Sequence, residues 1–178
     1  MYNKILKFWF HEIKPSQWWI KDTKFDNLIK NKFYNFHKKA HLNKLSHWRL
    51  YPKGRLAEII LLDQFSRNIY RDLPRAYESD ILALKLSQEA IENKVDKDMK
   101  QIEKLFLYMP FMHSESIEFQ TKSLNLFKNL GLKKNIESAE RHFEVIKKFG
   151  RFPHRNIILN RISSLKEIEF LKTRGSKF

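Results

Sequence analysis

Between residues 54 and 70 the chain reads GRLAEIILLDQFSRNIY, with Leu56, Ala57, Ile59, Ile60, Leu61, Leu62, Phe65 and Ile69 spread around most of a helical circumference. A helix that is apolar on nearly every side must be covered on nearly every side. A helix over Gly54 to Tyr70 is therefore expected to be the centre of the core that the remaining chain builds. Apolar spacing elsewhere is also helical, and no stretch alternates with period two for long enough to form a strand. Four glycines and five prolines in 178 residues leave little room for a disordered or linker-rich chain. The expected fold class is all-α: about eight to nine antiparallel helices in a single domain, 1–178, long enough to bury one core.

The other helices are marked by their punctuation. A first helix is expected over about Asn3 to His11. A second starts near Asp22 or Thr23 and carries Phe25, Leu28, Ile29, Phe33, Phe36 and Ala40 on one face. Pro74 suits the first turn of a helix running to about Asn93, with Ile81, Leu82, Leu84, Leu86, Ala90 and Ile91 available for packing. The next spans about Lys97 to Met109 and should stop at Pro110. Two more run from about Ser114 to Gly131 and from about Asn135 to Gly150, each closed by a glycine where a left-handed cap is expected. A short helix follows Arg155, and the last begins at Ser164, with Glu167 in capping-box spacing and Leu165, Ile168 and Leu171 as its apolar residues.

With 35 Lys and Arg against 20 Asp and Glu, the net charge is +15 and the pI about 9.9, which brings nucleic acid and anionic membranes into consideration as partners. The cations are mostly Lys, 25 against 10 Arg, and the chain also holds 12 Asn. That bias matches A·T-rich codon usage as well as it matches function, and no run of five like charges forms a basic tail. Nucleic-acid binding, if present, is expected to be weak and non-specific. The absence of Cys removes disulfide scaffolds, thiolate metal sites and a Cys nucleophile, and is compatible with the cytoplasm. Lys7 breaks the apolar start of the chain and no small-residue cleavage site follows, so a signal peptide is not expected, and no window is long and apolar enough for a membrane helix.

In a chain that uses Lys for most of its cations, each Arg suggests a need for the planar guanidinium fork. Arg49, Arg55, Arg67, Arg71 and Arg75 form one cluster and Arg141, Arg151, Arg155 and Arg161 another, while the 65 residues between hold nine Lys and no Arg. Bidentate bonding to a bound carboxylate or phosphate would explain this, and so would internal ion pairs such as Asp63 with Arg67 at i, i+4, or pairs with Asp72, Asp80 and Glu58. FGRFPHRN at 149–156 concentrates Arg151, His154, Arg155 and Asn156 on a loop. Its Phe-x-x-Arg-Asn-Ile echoes Phe65-Ser66-Arg67-Asn68-Ile69 with one residue inserted. Candidate ligand-binding residues are therefore Arg67, Asn68, Arg151, Arg155 and Asn156. Candidate acid–base residues are His113 and His154, with Glu115 or Asp63 to orient them. Ser114 is also placed to cap the helix that follows it. A metal held by His113, Glu115, His142 and His154 lacks any ligand spacing to support it, so no metal or cofactor is expected. The 15 Phe, 6 Tyr and 4 Trp are expected mainly in helix packing, with Trp18, Trp19 and Trp48 covering helix ends.

ILKFWF at 5–10, WW at 18–19, FD at 25–26, LAEIILLDQFSRNIYR at 56–71, LYMPFMHSES at 107–116, FGRFPHRN at 149–156 and SSLKEIEFL at 163–171 come in an order that covers nearly the whole chain. With Pro74, Ala76, Asp80, Gln120, His142 and Arg161, they resemble the bacterial domain-of-unknown-function family 924. Ser66, where the family pattern has Pro, and Ser163 or Ser164, where it has Thr, depart from it. The resemblance implies a tetratricopeptide-like α-α superhelix and carries no activity, although a strict 34-residue repeat is not visible in the spacing. The leading expectation is a binding protein that holds an anionic small molecule or acidic peptide in a concave Arg/Asn/His-lined site. A hydrolase using His113 or His154, and weak nucleic-acid binding, are the alternatives.

Overall fold

The computed structural model describes residues 1–176, and the described residues form helices and turns without a strand. The fold is all-α, as expected. The chain packs as two compact units: the first holds 1–71 and 75–110, the second 72–74 and 111–178.

In the first unit, α1 (Tyr2–Lys7) runs into a π-helical turn at Phe8–Glu12, and α2 (Thr23–His41) follows. Asp22 caps α2, its carboxylate accepting the N–H groups of Lys24 and Phe25 at 2.7 and 3.1 Å. The central rod is α3 (Pro52–Ile60), a π-turn at Leu61–Phe65 and α4 (Ser66–Ile69), with helical dihedrals at both junctions. Every residue from Leu56 to Ser66 is buried, so the all-round apolar pattern did locate the core. The wider π-turn adds a residue within the rod, a feature that apolar periodicity does not signal. α1 and α2 pack against this rod, and Phe8, Trp9, Phe33 and Phe65 meet with ring centroids 4.8–6.2 Å apart. Gly54 is required by a close approach, because a Cβ there would lie 2.2 Å from the Trp48 carbonyl oxygen. Trp48 is buried, Trp18 Nε1–H donates to Trp9 O at 3.0 Å, and Trp19 stacks on Phe106 while staying half in solvent.

Several boundaries differ from expectation. Pro74 opens a 3₁₀ turn, Pro74–Ala76, and α5 begins only at Asp80, running to Glu92. Tertiary bonds set that start: Arg67 takes the Asp80 carboxylate, and Ser79 Oγ meets His41 Nδ1 at 2.9 Å. Ile81 consequently points into solvent instead of the core. α6 spans Gln101–Met112 and carries Pro110 inside its last turn, where a missing N–H costs a single bond at a helix end.

In the second unit, α7 (Ile117–Leu130) and α8 (Lys133–Phe149) pack against each other across a two-residue connection. Both close on left-handed glycines, Gly131 with φ 77° and Gly150 with φ 69°. Ser116, not Ser114, is the N-cap residue of α7, while Ser114 Oγ accepts the Ser116 N–H at 3.2 Å. Gln120, fully buried, donates Nε2 to the carbonyls of Met112 and Ser114 at 2.7 Å each and so satisfies the end of α6. The short helix expected after Arg155 is instead a 3₁₀ turn at Pro153–Arg155. α9 (Leu165–Leu171) starts with the expected Ser164–Glu167 capping box, but Leu165 and Ile168 face solvent.

Candidate functional site

In the first unit the arginines are tied to carboxylates. Arg67 donates both Nη atoms to Asp80 at 2.9 and 3.0 Å, and its Nη1 also reaches the Asp63 carbonyl at 2.6 Å and the Asp63 carboxylate at 3.3 Å. Burial opposes the Arg67 charge, but Asp80 and Asp63 outweigh it and hold the guanidinium pKa above its ordinary value. Asp63 is completely buried and also accepts Gln64 Nε2 at 2.5 Å. Asn68 and Arg71 converge on Asp26, with Nδ2 and Nη2 at 2.8 and 2.7 Å from Oδ1. Arg49 grips the buried Glu58 with two bonds of 2.8 Å. The internal ion pairing that the spacing allowed is thus present, and Asp80, Asp26 and Glu58 are its anchors.

His37 Nε2 lies 2.6 Å from Ser66 Oγ, the spacing of a nucleophile with its base. The Ser66 hydroxyl donates to Leu62 O at 2.6 Å, so His37 must donate from Nε2 and cannot take the serine's proton. This pair is a packing contact. Burial, with His41 and Arg75 adding to it, lowers the His37 pKa to about 4.

In the second unit the FPHRN loop folds around Phe152, which is fully buried beside Val145 and Ile146. The rings of His142 and His154 lie 5.5 and 5.7 Å from that of Phe152, and the Arg155 guanidinium sits over it at 4.6 Å. Arg155 Nη2 donates to His113 O at 3.0 Å, and the His113 ring is 6.4 Å from that of His142. The structure therefore brings His113, His154 and Arg155 together, with His142 among them. His142 Nδ1–H donates to Ser138 O at 2.8 Å. Burial lowers its pKa to about 3, against that bond and aided by His113, Arg155 and His154, so His142 is neutral near pH 7.

Glu115 joins this loop as an acceptor. Its Oε1 takes the Phe152 N–H at 2.8 Å and Arg161 Nη2 at 3.0 Å, and its Oε2 takes Arg161 Nη1 at 2.7 Å. Burial would raise its pKa, but Arg161, the Phe152 N–H and Arg155 hold it below the usual carboxylate value. The Arg161–Glu115 bond leaves no mark in the sequence, because the two residues are 46 apart and neither sits in a motif with the other. Asn156 Nδ2 donates to Ser163 Oγ at 3.0 Å. Among the described residues no group of three or more His, Asp or Glu is placed to hold a metal ion. No helix among them is long and apolar enough to cross a membrane.

A groove of about 480 Å³ opens at the end of α8, lined by Lys148, Phe149, Arg151, Ser164, Lys166 and Glu167. Glu167 accepts Arg151 Nε and Nη2 at 2.7 and 2.9 Å and the Ser164 N–H at 2.7 Å. Those bonds, Arg151 foremost, lower its pKa to about 2 against the effect of burial. Of the groove residues only Arg151 is a ligand candidate in the sequence, where Ser164 and Glu167 mark a capping box. Lys148 and Lys166 look like any other lysine of a Lys-rich chain until the fold places them on one concavity.

No curated protein matches the chain. A solved structure, that of the protein of unknown function ATU0120 from Agrobacterium tumefaciens, is similar over 96% of each chain, at 35% identity and a TM-score of 0.91. Residues 5–175 match the family described as bacterial protein of unknown function (DUF924), and the chain belongs to that family.

Proposed function

We propose that the protein is a binding module whose anionic ligand, a small phosphate- or carboxylate-bearing molecule or an acidic peptide side chain, seats in the groove at the end of α8. The observation that carries this reading is the charge of the lining: Lys148, Arg151 and Lys166 against the single carboxylate of Glu167, which Arg151 and the start of α9 already engage. The groove volume falls within the roughly 300–1,000 Å³ of small-molecule sites. Phe149 supplies an apolar wall and Ser164 a hydroxyl. Arg155, His154 and Asn156 lie on the loop that follows Arg151 in the chain. Arg67, whose fork is committed to Asp80, and Asn68, whose amide donates to Asp26, act in this reading as struts of the first unit. The absence of Cys fits a cytoplasmic setting.

Thermal unfolding in inorganic phosphate, phosphoserine or citrate tests the proposal. A bound anion stabilises the folded protein by about 3 kcal/mol at a hundred times Kd, so the melting temperature rises with concentration. The Lys148→Ala/Lys166→Ala double variant should keep the wild-type melting temperature without ligand and lose the increase. An equal increase in both proteins would show that the anion acts elsewhere.

A second reading, hydrolysis with His113 or His154 as acid or base, is favoured by the gathering of His113, His142 and His154 around Phe152 and Arg155. Turnover of nitrophenyl phosphate and ester substrates that is lost in both His113→Gln and His154→Gln would support it. Nucleic-acid binding through the +15 charge is expected to vanish as salt rises to physiological strength.

A further inference from the structure

Residues 157–168 read IILNRISSLKEI, and none of their six aliphatic side chains is buried. Ile157, Ile162 and Leu165 are 86, 91 and 82% exposed and Ile168 is 42% exposed, while Ile158 and Leu159 are half-buried. The backbone that carries them is pinned at its base. The Arg161 N–H donates to Asn156 O at 2.8 Å, Asn156 bonds Ser163, Arg151 Nη2 reaches Ile162 O at 2.8 Å, and the capping box closes the start of α9. These apolar groups are held in water by an ordered scaffold, with Ile157, Ile162 and Leu165 each more than 80% exposed on one short stretch of chain.

The charge of this segment is mostly positive. Residues 145–176 contain eight Lys or Arg against two Glu, the fold adds Glu115 on Arg161, and Lys148 and Lys166 border the groove. We propose that the 157–168 segment is a docking surface for an anionic lipid bilayer, with Ile157, Ile162 and Leu165 entering the acyl boundary and Lys148 and Lys166 meeting lipid phosphates. For its electrostatic share this docking rests on the groove reading; the apolar share does not. Two features favour lipid over other occupants. The most exposed aliphatics stand out from a loop and a helix start, which suits a deformable medium. A second copy of the chain would bring the same excess of cations against this one, whereas an anionic leaflet attracts Lys and Arg at short range.

The test is cosedimentation of the full chain with phosphatidylcholine vesicles, with and without phosphatidylserine, compared with an Ile157→Ser/Ile162→Ser/Leu165→Ser variant. All three residues are exposed, so the variant should keep the wild-type circular dichroism melt. Wild type should pellet with the anionic vesicles alone, and the variant should bind them at least tenfold more weakly while still responding to phosphate in the groove assay. Ile162→Cys, the only cysteine in a chain that has none, carries a polarity-sensitive dye whose emission should shift to the blue on anionic vesicles. Equal pelleting of the Ser variant overturns the docking, because it reduces the contact to charge. No pelleting of wild type also overturns it, and binding of a poly-glutamate peptide in its place would reassign the surface to an acidic protein partner. Loss of the phosphate response with vesicle binding retained would reject the groove reading and leave only the apolar docking.

Discussion

Two buried histidines should make the protein sensitive to mild acid. His37, in the first unit, and His142, in the second, are 3% and 5% exposed, with pKa values lowered to about 4 and about 3. In the unfolded chain both return to about 6.5. Between the two limits the unfolded state binds more protons, so this contribution is fully present above pH 6.5 and is lost as pH falls toward the folded values. At pH 5 the unfolded histidines are almost fully protonated and the folded ones almost fully neutral. Each therefore forfeits about 1.5 pH units of free energy, about 2 kcal/mol, or about 4 kcal/mol for the pair. That is a large share of the roughly 5–15 kcal/mol that holds an ordinary domain together. Urea unfolding followed by circular dichroism at pH 8, 6.5 and 5 should show a constant slope and a midpoint that drops mainly below pH 6.5. Hydrogen exchange would separate the units, since His37→Phe should flatten the pH response of the first and His142→Phe that of the second. A midpoint independent of pH between 7 and 5, or a carbon-bound ring proton of His142 titrating near pH 6.5 in the folded protein, would refute the reasoning.

Leu61→Asp should abolish folding, because an unpaired carboxylate at a fully buried site costs several kcal/mol; a soluble variant with a cooperative melt would remove the 54–70 rod from the core. Gly54→Ala should destabilise by about 2 kcal/mol, since its Cβ would press on the Trp48 carbonyl, and an unchanged urea midpoint would contradict that contact. Arg67→Lys keeps the charge but loses the fork held by Asp80 and should cost about 2 kcal/mol by urea titration, with anion binding at the groove unchanged; a lost phosphate response would restore Arg67 to the ligand site.

The features legible in the sequence are those whose cause lies within a turn or two of chain. Helical periodicity announced an all-α fold, and the all-round apolar run at 56–65 announced the central rod. Gly131, Gly150 and the Ser164–Glu167 box marked helix ends because capping is a contact between near neighbours. Pro74 and Pro110 do not mark the helix ends that their positions suggest, because a proline states only what its own φ and missing N–H permit. Bonds from Arg67 and His41 start the fifth helix at Asp80, and a helix near its end tolerates Pro110. The candidate site divides in the same way. Retained arginines pointed to bidentate partners, and the FPHRN loop to a cluster of His and Arg. Several arginines take carboxylates far along the chain, as with Arg67 and Asp80, 13 residues apart, and Arg161 and Glu115, 46 apart. The spacing of neither partner's own segment encodes such a pair. The same limit hid the groove and the exposed aliphatics of 157–168. An isoleucine reads as core in any sequence, and only the packed chain reveals which ones nothing covers.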